Sequence, residues 1–134
     1  MMPHALSISG LHGAVEDMAM SLREEGYTVT LEMSDLPEIE NTKQVMIYRL
    51  MQEVISNIRK HANAKTILLQ LLSYDNILNL IIEDNGDGFD YEKALNKDGL
   101  GIKSINSRAE FLDGNIEWDS KPGEGTSISI NIPL

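Results

Sequence analysis

The chain has 134 residues, 42% of them hydrophobic, and no cysteine; that is enough for one packed domain and excludes disulfides and cysteine-held metals, as suits a reducing compartment. Its net charge of −10 argues against nucleic acid or an anionic membrane surface as the main partner, yet a small anion needs only a local site of backbone amides, a cation or two and a metal. No run is apolar for long enough to span a membrane, and residues 1–13 lack the basic-then-apolar order of a signal peptide.

Residues 10–25 put Leu11, Val15, Met18, Ala19 and Leu22 on one face, which predicts a helix, with Gly26 as its stop. Residues 27–33 alternate as a strand, and Asp35-Leu-Pro37 breaks the pattern. A second helix is predicted from Asn41 or Thr42 to about Ala62, with Ile47, Met51, Val54 and Ile58 as its apolar stripe. Residues 65–73 and 77–84 read as strands joined by a turn at Tyr74-Asp75-Asn76. The second of these is nearly continuous in apolar residues and is expected at the centre of the sheet. Residues 85–101, rich in Gly, Asp, Asn and Lys, read as loop. A third helix over 102–112, a strand over 115–120, a turn at 121–125 and an alternating strand over 126–132 complete the chain. Such alternation predicts an α/β domain with helices packed on a sheet.

Beside the stripe of the second helix, Glu53, Asn57 and Lys60 fall in a narrow arc at about 100° per residue, with His61 between arc and stripe. Alone, such an edge is more often a solvated flank, and His61 alone is more often a packed histidine than a metal ligand. As a ligand site, its chemistry is specific. The Asn57 amide oxygen is a hard donor suited to Mg²⁺ on a triphosphate. Glu53 can orient or deprotonate an attacking group, and Lys60 is a point charge for phosphate oxygens.

Three glycine clusters follow. Asp84-Asn-Gly-Asp-Gly88 comes directly after an apolar strand; Leu95 at the twelfth position rules out a calcium loop. A carboxylate at a strand end accepts hydrogen bonds only, which suits the exocyclic amine of adenine and rejects the carbonyl of guanine. Gly99-Leu-Gly101 opens the third helix, where free N–H groups and the helix dipole favour phosphate; Ser104 in place of a third glycine excludes Gly-x-Gly-x-x-Gly, and the lack of a following Gly-Lys-Ser/Thr excludes a P-loop. Gly123-Glu-Gly125-Thr126 reads first as a hairpin turn, and Thr126 could place a hydroxyl beside the base. Residues 89–98 between the first two clusters are either a lid over the phosphates or a plain loop.

The order of these motifs resembles the N, G1, G2 and G3 boxes of the GHKL ATPases, the superfamily that includes gyrase, Hsp90, histidine kinases and MutL. The nearest likeness is to the catalytic domain of sensor histidine kinases of the nitrate-sensor and desaturase-sensor type. It is carried by Gln52-Glu-Val-Ile-Ser-Asn-Ile-Arg-Lys-His-Ala-Asn-Ala64, Ile82-Glu-Asp-Asn-Gly-Asp-Gly-Phe89 and Gly99-Leu-Gly-Ile-Lys-Ser-Ile-Asn-Ser-Arg108, and by residues 3–14 as the family's lead into that domain. The resemblance covers essentially the whole chain, 1–134, as one domain.

It implies a two-layer α/β sandwich, a mixed sheet under three helices, with residues 89–98 as a short lid. It implies ATP and Mg²⁺: Asp84 on the adenine amine, Asn57 on the metal, Gly99, Leu100 and Gly101 facing the phosphates, Gly86, Gly88 and Thr126 around the base, and Glu53, Lys60 and His61 around the phosphates and metal. The reaction would be transfer of the γ-phosphate of ATP to a histidine. His12 is not expected to be that acceptor, because no acidic residue follows it and its surroundings match the lead-in. The acceptor then lies on a dimerisation domain of a longer, cytoplasmic or membrane-bound kinase, and a response regulator would take the phosphate; neither nucleic acid nor direct membrane contact is expected. An anti-sigma-type protein serine kinase and a nucleotide-binding module without turnover are the alternatives.

Overall fold

The computed structural model describes residues 3–97 and 101–134. Five strands form one sheet in the order β1-β2-β3-β5-β4: β1 Thr28–Met33, β2 Thr66–Tyr74, β3 Ile77–Asp84, β4 Asn115–Ser120 and β5 Thr126–Pro133. β1 runs parallel to β2, and the other neighbours are antiparallel, so the sheet is mixed, with the apolar β3 at its centre as its sequence predicts. The β2–β3 hairpin pairs Tyr74 with Ile77. Its two turn residues, Asp75 and Asn76, both have positive φ, 50° and 60°, the conformation whose twist matches the flanking strands.

Alternation sorts each strand into two faces. Ile67, Leu69 and Leu71 of β2, Leu78, Leu80 and Ile82 of β3, and Ile128, Ile130 and Ile132 of β5 are all buried in the core. Against this face lie α1 His4–Glu24, α2 Asn41–Asn57 and α4 Ile102–Phe111, which contribute Ala14, Val15, Ala19 and Leu22, then Ile47, Leu50, Met51 and Val54, then Ile105 and Ala109. The expected sandwich of a mixed sheet and three helices is therefore present. A fourth helix, α3 Tyr91–Leu95, is short and packs against α4 and β4. No described helix is long and apolar enough to cross a membrane.

Three local expectations differ from the structure. The first helix starts at His4, not at residue 10, because Leu6 adds a buried side chain ahead of the predicted face. The helix breaks at Gly10 (φ 68°, ψ −173°), and the freed amide of Leu11 donates to Gln44 Oε1 at 3.0 Å, while Gln44 Nε2 donates to the Ile39 carbonyl at 2.7 Å. The second helix is α-helical only to Asn57 and continues as a π-helical turn, Ile58–Ala62, closed by Asn63 in the left-handed region (φ 53°). Residues 85–101, expected as loop, contain α3, which Asp90 caps by accepting the Lys93 amide at 3.1 Å.

Candidate functional site

The site begins where α2 widens into its π turn, a helix defect frequent at functional sites. Val54 and Ile58 remain buried against the sheet, while Asn57 is half-buried and Lys60 and His61 are exposed. The Ala62 carbonyl, at the end of the turn, accepts the amide of Asp87 at 2.6 Å and so ties the helix end to the loop after β3. On the outer side, Arg59 grips Glu25 through two bonds of 2.8 and 2.6 Å. The hydrogen bond from Arg59 holds the Glu25 carboxyl below its usual range against a smaller opposing effect of burial.

The loop after β3 is a knot of backbone contacts. Asp84 Oδ1 accepts the Gly86 amide at 2.7 Å. Burial raises the pKa of the Asp84 carboxyl above the usual carboxylate value, and the amides of Gly86 and Thr126 partly offset this. Asn85 Oδ1 accepts the amides of Lys65 and Thr66 at 2.8 and 2.9 Å. The Asp87 carbonyl accepts the Gly123 amide at 2.6 Å, which joins this loop to the turn before β5. A Cβ on Gly86 would run into the Ala62 carbonyl. One on Gly88 would meet the Lys121 carbonyl, and one on Gly125 the carbonyl of Asp84. Gly88 and Gly125 also have φ of 64° and 75°, so both space and conformation require glycine there. The buried Ser120 hydroxyl closes the knot: it accepts the Phe89 amide at 2.9 Å, donates to the Gly125 carbonyl at 3.2 Å and shares a 2.8 Å bond with Thr126 Oγ1.

Between helix and sheet lies a narrow cleft. Val54, Asn57, Ile58, His61 and Ala62 form its helical wall, Ile82 and Ile128 its floor, and Asp84 and Thr126 bring polar groups to it. Gly88, Phe89 and Trp118 complete the lining. The Phe89 and Trp118 rings meet edge to face at 6.2 Å, and Tyr91 packs on the indole at 5.5 Å. A mostly apolar slot with a few convergent polar groups, one a half-buried carboxylate of raised pKa, is the usual make-up of a small-molecule site.

The predicted residues are distributed unevenly around this cleft. Asn57, His61, Asp84, Gly88 and Thr126 line it; Gly86 sits behind the Asp84 carboxylate, whose Oδ1 it hydrogen-bonds. Glu53 is half-buried beyond Asn57. A Cβ on Gly101, at the N-terminus of α4, would lie 2.9 Å from Glu53 Oε1 and 3.9 Å from Asn57 Oδ1. The helix edge and the second glycine cluster therefore meet. Lys60 is exposed and does not line the cleft, and Gly99 and Leu100 lie outside the described residues. Phe89 and Trp118 are lining residues that the motif reading did not single out. The signal for Trp118 was its inward register in β4 and its being the only tryptophan; Ser120 and Asn85 gave none, because their partners are distant in the chain.

Comparison with known proteins bears on the family and the fold. The sequence profile of the histidine kinase-, DNA gyrase B- and HSP90-like ATPase family matches residues 42–134. The chain is 31% identical to the signal transduction histidine-protein kinase/phosphatase DegS of Bacillus subtilis, over 98% of this chain and 36% of DegS. It is 33% identical to an uncharacterised sensor-like histidine kinase of Chloroflexus aurantiacus, over 98% of this chain and 24% of that protein. The chain thus spans about a third or less of the length of these relatives. Among solved structures, the histidine kinase domain of the Erythrobacter litoralis blue-light activated kinase superposes with a TM-score of 0.79 at 20% identity, over 97% of this chain and 68% of that one. The Acinetobacter baumannii histidine kinase AdeS gives 0.73 at 20% identity, over 90% and 64%; at such identities the likeness speaks for the fold. The chain belongs to the histidine kinase-, DNA gyrase B- and HSP90-like ATPase family, and over nearly its whole length it is similar to sensor histidine kinases.

Proposed function

We propose that the chain is the ATP–Mg²⁺-binding catalytic domain of a sensor histidine kinase, which donates the γ-phosphate to a histidine on a separate dimerisation domain. The observation that carries this reading is the half-buried Asp84 carboxylate at the apolar cleft, across from Asn57 on the helical wall. The donor set suits the ligand. Ile82, Ile128, Val54 and Ile58 would take the faces of a flat base. Asp84 would accept its exocyclic amine, with the Gly86 amide orienting the carboxylate. Asn57 would supply one oxygen to a Mg²⁺ that keeps phosphate oxygens and waters as its other ligands. Glu53, Gly101 and Lys60 lie toward the phosphates, where Glu53 would orient the attacking group and Lys60 would offset charge; His61 flanks them. Gly99 and Leu100, in the same glycine cluster, would present backbone amides to phosphate. ATP supplies the transferable phosphoryl group, and the domain's own residues act by positioning and electrostatics.

In this reading the partners are the kinase's own phosphoacceptor domain and a response regulator, on the cytoplasmic side. The exposed His12, 3.1 Å from Glu16, is not the acceptor. Calorimetry with ATP, ADP and GTP, with and without Mg²⁺, tests the proposal. Adenine nucleotides should bind and GTP should not, and Asp84→Asn should weaken ATP at least about tenfold, the worth of a hydrogen bond to a charged group. Equal affinity for ATP and GTP in the native chain would overturn it.

A further inference from the structure

A second polar network lies beside the cleft, built on side chains to which the motifs assign no role. The indole Nε1 of Trp118 in β4 donates to Asn106 Oδ1 of α4 at 2.7 Å, and Asn106 Nδ2 donates to the hydroxyl of Tyr91 in α3 at 3.1 Å. An indole N–H is only a donor, so it fixes which way the Asn106 amide faces, and the amide nitrogen is thereby aimed at Tyr91. One side chain thus joins three elements that are separate in the chain.

Each of these elements borders the nucleotide cleft differently. Trp118 lines it directly. α4 starts at Gly101, next to Glu53 and Asn57. α3 lies in the stretch between Phe89 and the second glycine cluster, and five residues are far too few for a helix to hold itself. Its anchors are the Asp90 cap, the buried Ala94 and Tyr91, whose ring packs on Trp118 and whose hydroxyl meets Asn106. All three side chains of the network are half-buried, where a lost partner is felt more than at a fully solvated surface.

We propose that Asn106 is a positioning residue: it fixes the Trp118 indole as the aromatic wall of the nucleotide cleft and latches α3 to that wall through Tyr91. A nucleotide pressing on Trp118 then steadies α3, and loosening α3 weakens the nucleotide. The inference rests on the cleft being a nucleotide site and adds the residue that ties the base wall to α3.

Trp118 is the only tryptophan of the chain, so its fluorescence reports on the wall without labelling. ATP–Mg²⁺ should shift Trp118 emission in the native chain and slow amide exchange across residues 89–97. Asn106→Leu, which keeps bulk and removes both bonds, should weaken ATP by about five- to tenfold, expose Trp118 to acrylamide and abolish the ATP-dependent protection of 89–97. Tyr91→Phe keeps the ring and removes only the hydroxyl. It should leave thermal stability nearly unchanged, weaken ATP about two- to threefold and reduce the same protection, a readout that a purely structural role would not move. Should Asn106→Leu fail to fold, Tyr91→Phe decides alone. Native-like affinity and protection in the variants, with the native chain binding ATP, overturns the role of Asn106. Failure of the native chain to bind ATP overturns the nucleotide reading itself.

Discussion

The two ends of the cleft are built on different principles. At the end proposed for the base, the Asp84 carboxylate accepts the Gly86 amide, the Ser120 hydroxyl donates to the Gly125 carbonyl, and Gly86, Gly88 and Gly125 leave no room for a Cβ. At the end proposed for the phosphates the groups are side chains on one helix edge, the half-buried Glu53 and Asn57, with the exposed Lys60 outside the cleft lining. In the proposed reading, the first end holds its shape through backbone contacts and the second offers side chains to the ligand. There a flat base would meet fixed geometry at the first end, which lowers the ordering cost of binding. A triphosphate would bring its own charge and metal, so a few polar side chains at a helix edge would suffice.

The largest expected effect breaks the fixed end. Gly125→Ala forces a Cβ against the Asp84 carbonyl at φ 75°, and urea denaturation should show a loss on the order of 2–4 kcal/mol. Gly123→Ala shares the positive φ, 84°, but meets nothing within 4 Å, so its cost should stay near 1 kcal/mol. Equal losses at the two positions would mean that crowding at the base end is not what requires glycine.

A smaller change is expected at the other end. Asn57→Ala should weaken ATP binding in Mg²⁺ by roughly tenfold, the scale of a lost charge-assisted contact, and leave metal-free binding nearly unchanged; calorimetry with and without chelator distinguishes the two. Loss of both would move Asn57 from the metal to the architecture.

The smallest effect sharpens the comparison through pH. Burial raises the Asp84 pKa in the folded chain, so this group's contribution to stability is present below the ordinary carboxylate range and lost as pH rises through the raised value. Asp84→Asn keeps an oxygen for the Gly86 amide and carries no charge. Without nucleotide, its melting temperature should therefore slightly exceed the native one at neutral pH and converge with it as the medium becomes acidic. The same variant should bind ATP worse. A variant less stable than the native chain at neutral pH would show that the two amides outweigh burial.

Much of this was legible locally. The bounds of β3 follow from its nearly continuous apolar run and the turns that flank it, and the β2–β3 turn from the Tyr74-Asp75-Asn76 stretch. Asn57 and Asp84 stand out because a polar residue bordering an apolar helix stripe and a carboxylate ending an apolar strand are both conspicuous. The π turn at Ile58–Ala62 was not legible, because its sequence continues the helical pattern and the Ala62 carbonyl finds its partner in Asp87, across the fold. Nor was α3, whose five residues sit in a polar stretch and hold their place through Tyr91 and Ala94.

The sequence by itself determined the order of the five strands and three long helices, the face each turns to the core and the four motifs that mark the family, because periodicity and glycine chemistry act over a few residues. Only the tertiary structure decided that Gly86 lies under the Ala62 carbonyl, that Gly101 reaches Glu53, and that Trp118, Asn106 and Tyr91 form one chain of hydrogen bonds. Those relations depend on strand order and helix docking, which bring distant residues within bonding distance and which no local pattern encodes.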